Sequence, residues 1–241
     1  MPYGRKTYRF KNSIEVEEYL NGRYGARGEP RQKKRKATPE QIKKQNQRNK
    51  EKRIRRKIKA NFQEGDYFMT LTCAKDKRPP TMAQAKQEFT KFIRRVRDEC
   101  KKDGFEVKWM KNIEMGKKKA VHCHLLITYV PGIEQIVRKH WTYGGVHMQL
   151  LYEQGDFKDL APYLCKTPQT DESLKECSYS CSKNMVTIEP EKEIIDGREI
   201  TEPPRPRKGF YLDKESVVEG INPVTGYKYR HYTWIRLNRR I

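Results

Sequence analysis

No apolar run in this chain approaches the ~18 residues that a membrane-spanning helix requires, and Met1–Lys6 has no apolar stretch of the kind found in signal peptides. The expected location is therefore cytoplasmic, with no membrane partner. The six cysteines (Cys73, Cys100, Cys123, Cys165, Cys177, Cys181) show no CxxC pair. In a cytosolic chain such scattered thiols are expected to stay reduced, and a structural disulfide is not expected. Cys177-x-x-x-Cys181 has no second pair to complete a zinc site. No Gly-x-x-x-x-Gly-Lys-Ser/Thr occurs, so the chain lacks a P-loop for nucleotide hydrolysis.

What is abundant is positive charge. The formal net charge over 241 residues is +22. Residues 1–60 hold 21 Lys/Arg against 6 Asp/Glu, a net of +15, whereas residues 61–241 hold 32 against 25, a net of +7. The first quarter reads as a basic arm and the remainder as a moderately basic body. Such an arm suits the phosphates of a nucleic acid and makes binding steeply salt-dependent.

Residues 1–35 are rich in Gly, Arg and Tyr without a clear period, and are expected to be extended or disordered. Thr38-Pro39-Glu40-Gln41 then combines an N-cap, a proline at N1 and a capping-box glutamine. The helix it opens carries Lys43, Lys44, Arg48, Arg53, Arg55 and Arg56, residues that can lie along a phosphate backbone. Its few apolar positions imply burial of the C-terminal end only. Tyr67–Cys73 is β-rich and reads as a strand, Met82–Lys101 as an amphipathic helix capped by Thr81, and Val107–Glu114 as a second strand. A histidine-bearing strand follows, reaching Tyr129, then a helix at Ile133–His140, a short strand at His147–Leu151 and a helix at Phe157–Lys166. Residues 186–208 look like an acidic, then proline-rich linker, and the alternating tail Tyr227–Leu237 suggests a β-hairpin. The fold class is α+β, an antiparallel sheet with helices packed on one face and a basic helical arm before it. The expected division is 1–60 for the arm, 61–190 for the main domain, and 191–241 for a linker and a hairpin that completes that domain.

The chemistry concentrates in Glu114-Met-Gly-Lys-Lys-Lys-Ala-Val-His122-Cys-His124. Residues i and i+2 of a strand share a face, so His122 and His124 can converge on one ion. A turn centred on Lys118 places Glu114 opposite His122 on that face. Lys117, Lys118 and Lys119 in the turn add charge for DNA. Downstream, Tyr163 and Lys166 sit at i and i+3 on one helix face. A tyrosine beside a metal-bound phosphate can act as nucleophile, with the cation stabilising developing charge.

The ordered set Phe68-Met-Thr-Leu-Thr72, Glu114 with His122-Cys-His124, and Tyr163-Leu-Cys-Lys166 resembles the three motifs of HUH endonucleases, in particular the rolling-circle replication initiators of bacterial phages, plasmids and integrative elements. The resemblance covers roughly residues 38–185. It implies nicking of single-stranded or hairpin origin DNA by tyrosine attack, leaving a 5′-phosphotyrosine and a free 3′-hydroxyl. It assigns Tyr163 as nucleophile, Lys166 as auxiliary cation, and Glu114, His122 and His124 as ligands of Mg²⁺ or Mn²⁺; the imidazole pair favours Mn²⁺ on ligand softness. Thr167 stands where many relatives carry a second tyrosine, which implies a single-tyrosine mechanism. Without a P-loop, a replication role implies a host helicase and polymerase as partners. A relaxase or single-tyrosine transposase shares this chemistry, and relaxases usually place the tyrosine before the histidine pair. Outside the class stand a cupin-like metal protein, disfavoured because Leu125–Val130 contains no glutamate, and a non-catalytic DNA-binding protein.

Overall fold

The computed structural model describes residues 2–21, 37–117, 120–152, 157, 160–168, 171–222 and 226–237. The chain divides into two compact units, residues 1–48 with 188–241, and residues 49–187. Each contains a five-stranded antiparallel sheet, so the α+β class holds.

In the first unit, β1 (Pro2–Arg9) and β2 (Ser13–Leu20) form a hairpin. It joins β8 (Glu191–Asp196), β9 (Phe210–Ile221) and β10 (Lys228–Arg236) in the order β8-β1-β2-β10-β9. The expectation that the N-terminal residues are extended or disordered therefore fails for Pro2–Leu20. The charged residues between the apolar ones masked the pattern: Ile14, Val16, Tyr232 and Trp234 are buried on one face of the sheet. The terminal hairpin likewise belongs to this sheet rather than to the one that carries the histidines, and part of the supposed linker is the strand β8. Residues 22–36 lie outside the described residues.

A carboxylate sits at the centre of this sheet. The Glu18 side chain is fully buried, 2.8 Å from Arg5 and 2.7 Å from Arg230. Arg230, itself 4% exposed, also donates to the backbone carbonyls of Glu199 (3.0 Å) and Glu202. The segment between β8 and β9 is thereby tied to the sheet.

The second unit orders its strands β6-β3-β5-β4-β7, with β3 Tyr67–Thr72, β4 Trp109–Gly116, β5 Val121–Ile127, β6 Val146–Leu150 and β7 Leu174–Cys181. Helices cover both faces, not one. On the first face lie α2 (Met82–Lys102) and α3 (Ile133–His140), which bury Leu71, Ile113, Cys123 and Leu125. Thr81 caps α2 by accepting from the Gln84 amide at 3.2 Å. On the second face lie the C-terminal half of α1 (Pro39–Asn61) and the six-residue α4 (Leu160–Cys165). Ile54, Ile58 and Phe62 join Ala161, Leu164, Met110 and Leu126 in one core. The part of the basic helix from Asn49 onward thus belongs to the unit the helix was expected to precede, because its apolar residues Ile54 and Ile58 are the platform for α4. Its start is the capping box: Gln41 N donates to Thr38 Oγ1 (3.3 Å) and Thr38 N to Gln41 Oε1 (3.0 Å).

All six cysteines are free thiols. Among the described residues no helix is long and apolar enough to cross a membrane.

One charge is buried beneath α2. Lys111 is 3% exposed, its ammonium 3.2 Å from the Ser178 carbonyl and 5.1 Å from the Phe89 ring centre. Burial pushes this ammonium down to about 8. The unfolded chain, with lysine near 10.4, then binds more protons than the folded one above about pH 8, so stability rises with pH through that window. Lys111→Met should raise stability at pH 7 by on the order of 1–2 kcal/mol and flatten the slope. Thermal melts between pH 7 and 10 check both; a variant less stable at pH 7 would refute the assignment.

Candidate active site

The second face of the sheet in residues 49–187 carries the residues singled out from the sequence. β4 and β5 pair in the register that sets Glu114 opposite His122 and Asn112 opposite His124. β3 pairs on the other side, with Thr70 opposite His124 and Thr72 opposite His122. Because facing residues share a side of the sheet, Glu114, His122, His124, Thr70 and Thr72 form two adjacent rows on one surface. The tip of the β4–β5 turn, including Lys118 and Lys119, lies outside the described residues.

The strand β3 motif shapes this surface. The Thr70 hydroxyl is 3.3 Å from His124 Nδ1. That contact orients the ring and leaves Nε2 facing Glu114 Oε2 at 3.4 Å. The Phe68 ring stacks on His124 with centroids 5.8 Å apart and planes 5° from parallel. The Thr72 hydroxyl is bonded to Gly145 twice, accepting from its amide (3.1 Å) and donating to its carbonyl (3.3 Å). Beside it Gly144 passes so near β3 that a Cβ would sit 2.4 Å from the Thr72 carbonyl oxygen. Only glycine permits that approach, which seats β6 against β3.

α4 places Tyr163 over these rows. The Tyr163 ring stands edge-on to His124, centroids 6.0 Å apart at 65°, and contacts Phe68 at 6.4 Å. It is 47% exposed. Lys166 lies just beyond the helix, with Nζ 4.9 Å from the Tyr163 ring centre and 3.6 Å from Asp171. Pro162 falls in the first turn of α4, where its missing N–H leaves no helical bond unmade. At the other end Lys50 of α1 donates to the Cys165 carbonyl at 3.4 Å, a cation where a helix C-terminus favours one.

Glu114 is buried at 5% exposure, whereas His122 is exposed. Desolvation against the sheet, followed by the neighbouring His124, holds the His122 imidazole below its ordinary value while Glu114 pulls the other way. A neutral imidazole keeps a lone pair free for a ligand. Among the described residues no three His, Cys, Asp or Glu side chains already converge as a cage. Glu114 and His124 are together, and His122 shares their face. One carboxylate and two imidazoles with an open side suit a divalent ion in a catalytic rather than a sealed structural role.

Of the residues expected to meet DNA, Lys43, Lys44, Arg48, Arg53 and Lys117 are exposed. Arg55 and Arg56 are half-buried. The sequence reading missed Asn112 and β7, which flanks β4 on the side away from β5. Asn112 lies two residues before Glu114, so period-2 spacing was the available signal.

Fold and site together define an α+β domain with a His/Glu surface and an exposed tyrosine above it. Residues 66–168, which contain every one of those site residues, match the family model described as replication-associated protein ORF2/G2P. The match takes in less than half of the 241 residues and is a likeness to replication-associated proteins over that segment. No curated protein and no solved structure matches the chain.

Proposed function

We propose that this protein is a metal-dependent, single-tyrosine nicking-joining endonuclease of the HUH type that initiates rolling-circle replication of a mobile element. The observation that carries the reading is the position of Tyr163, edge-on to His124 and on the same sheet face as Glu114 and His122. The proposed substrate is single-stranded or hairpin origin DNA. Exposed cations of α1 hold its backbone by charge, without reading bases. Glu114, His122 and His124 would hold Mg²⁺ or Mn²⁺, which when bound polarises the phosphoryl oxygens. Tyr163 gives up its proton and its Oη bonds to phosphorus. The P–O3′ bond breaks, and the departing O3′ takes a proton to become a free 3′-hydroxyl. Lys166, set against the Tyr163 ring, offsets negative charge developing on the phosphoryl group. Thr70 holds the His124 ring through Nδ1, so that Nε2 is the nitrogen turned toward Glu114. Strand separation and synthesis fall to a host helicase and polymerase.

The test is incubation of the full chain with Mn²⁺ and labelled single-stranded DNA from its own replicon, followed by a denaturing gel. The expected result is a protein–DNA adduct that does not form when Mn²⁺ is chelated beforehand or in His124→Ala, with that variant's Mn²⁺ affinity reduced at least ~10-fold. Tight, salt-sensitive binding of origin DNA with no adduct would overturn the enzyme reading in favour of a DNA-binding module.

A further inference from the structure

The buried amide of Asn112 is the least explained group in the site. Asn112 is 0% exposed and lies between His124 on β5 and Tyr179 on β7. One row away the same face is apolar, with Met110 and Leu126 fully buried. A polar side chain at such a depth weakens the fold unless its atoms are paired. Nδ2 faces three oxygens: Glu114 Oε1 at 3.4 Å, the Tyr163 carbonyl at 3.4 Å and the Lys166 carbonyl at 3.5 Å. Three acceptors around one end of the amide establish that end as the nitrogen. Oδ1, at the other end, is buried and has no hydrogen-bond partner among the described residues. Packing alone does not account for an amide so placed, since an apolar residue would leave nothing orphaned.

The contacts divide the Glu114 carboxylate, with Oε1 toward Asn112 and Oε2 toward His124. The same Nδ2 reaches the backbone of both residues that frame the reacting end of α4, Tyr163 and Lys166. α4 is only six residues long and cannot hold its own orientation by helical bonding. We infer that Asn112 is a positioning residue that joins the Glu114 carboxylate to the backbone of the tyrosine helix, so that metal ligand and nucleophile are held in mutual register. This rests on the nicking reading above. The contacts at 3.4–3.5 Å are long for hydrogen bonds, as catalytic contacts often are before substrate loading, and tighten on loading.

The experiment compares wild type, Asn112→Ala and Asn112→Asp as full chains. It measures Mn²⁺ affinity by calorimetry, affinity for one single-stranded origin DNA, the rate of adduct formation at saturating Mn²⁺, and the thermal melt. Both variants are expected to bind the DNA within about twofold of wild type, because Asn112 is sealed from solvent. Mn²⁺ binding should weaken ~10-fold through loss of carboxylate orientation. At saturating Mn²⁺ the adduct should still form ~100-fold more slowly, because the tyrosine helix is no longer in register. Full recovery of the rate at saturating Mn²⁺ would overturn the coupling. A lowered melt with unchanged Mn²⁺ affinity and rate would reduce Asn112 to a packing residue and also overturn it. If wild type binds Mn²⁺ but forms no adduct, the nicking reading fails, and unchanged Mn²⁺ affinity in the variants overturns the Asn112 inference separately. If wild type does not bind Mn²⁺ at all, both fall.

Discussion

Tyr163→Phe is expected to abolish the covalent protein–DNA adduct, lowering its rate of formation by at least ~10³-fold, while leaving DNA affinity within about twofold. The hydroxyl is the only group removed. The ring keeps its edge-on contact with His124, its contact with Phe68 and its place under the Lys166 ammonium. At 47% exposure the side chain contributes little to the core, so the melt should stay within ~0.5 kcal/mol of wild type. A denaturing gel reads the adduct and a filter-binding titration the affinity. An adduct that persists in Tyr163→Phe would transfer the nucleophile to another residue and leave Tyr163 as an aromatic neighbour of His124.

The second large effect concerns stability. Glu18→Ala should destabilise the fold by about 3–5 kcal/mol, since it leaves the buried Arg230 guanidinium without its carboxylate. Native domains are stable by only about 5–15 kcal/mol, so this one change removes a large part of the total. Arg5 shares the same carboxylate but is more exposed, and it keeps Glu193 and Glu199 at 3.0 Å as partners. Arg5→Ala is therefore expected to weaken the fold less than Glu18→Ala. The denaturation midpoint in urea ranks the two, and equal losses would show that Arg230 is satisfied by the Glu199 and Glu202 carbonyls alone.

Local pattern made much of the histidine-bearing domain legible. The capping box at Thr38, the Thr81 cap and the stripe Ala85, Phe89, Phe92, Ile93, Val96 each declare a helix through contacts within a few residues. A short turn between two strands is enough to bring Glu114 opposite His122, because hairpin register follows from turn length. β7 was not visible: between Leu174 and Cys181 the strand carries only Tyr179 and its thiols among polar residues, without clear apolar alternation, and it is held in the sheet by β4 beside it. β1 and β2 were missed for a related reason. Their charged residues are partners of one another and of distant strands, and composition cannot distinguish a paired charge from a solvated one.

The sequence by itself determined the α+β class, the helix caps, the face shared by Glu114, His122 and His124, and the spacing of Tyr163 and Lys166, since all of these depend on the strand period, the helix period or a single turn. Tertiary structure alone decided that β1 pairs with β8 and β2 with β10; Glu18 and Arg230 are 212 residues apart, and no local period encodes such a pairing. It also decided that the basic helix α1 is the floor beneath α4, and that the amide of Asn112 reaches both the Glu114 carboxylate and the backbone of Tyr163. These arrangements arise where separately coded segments bury a common surface, and burial is a property of the assembled chain.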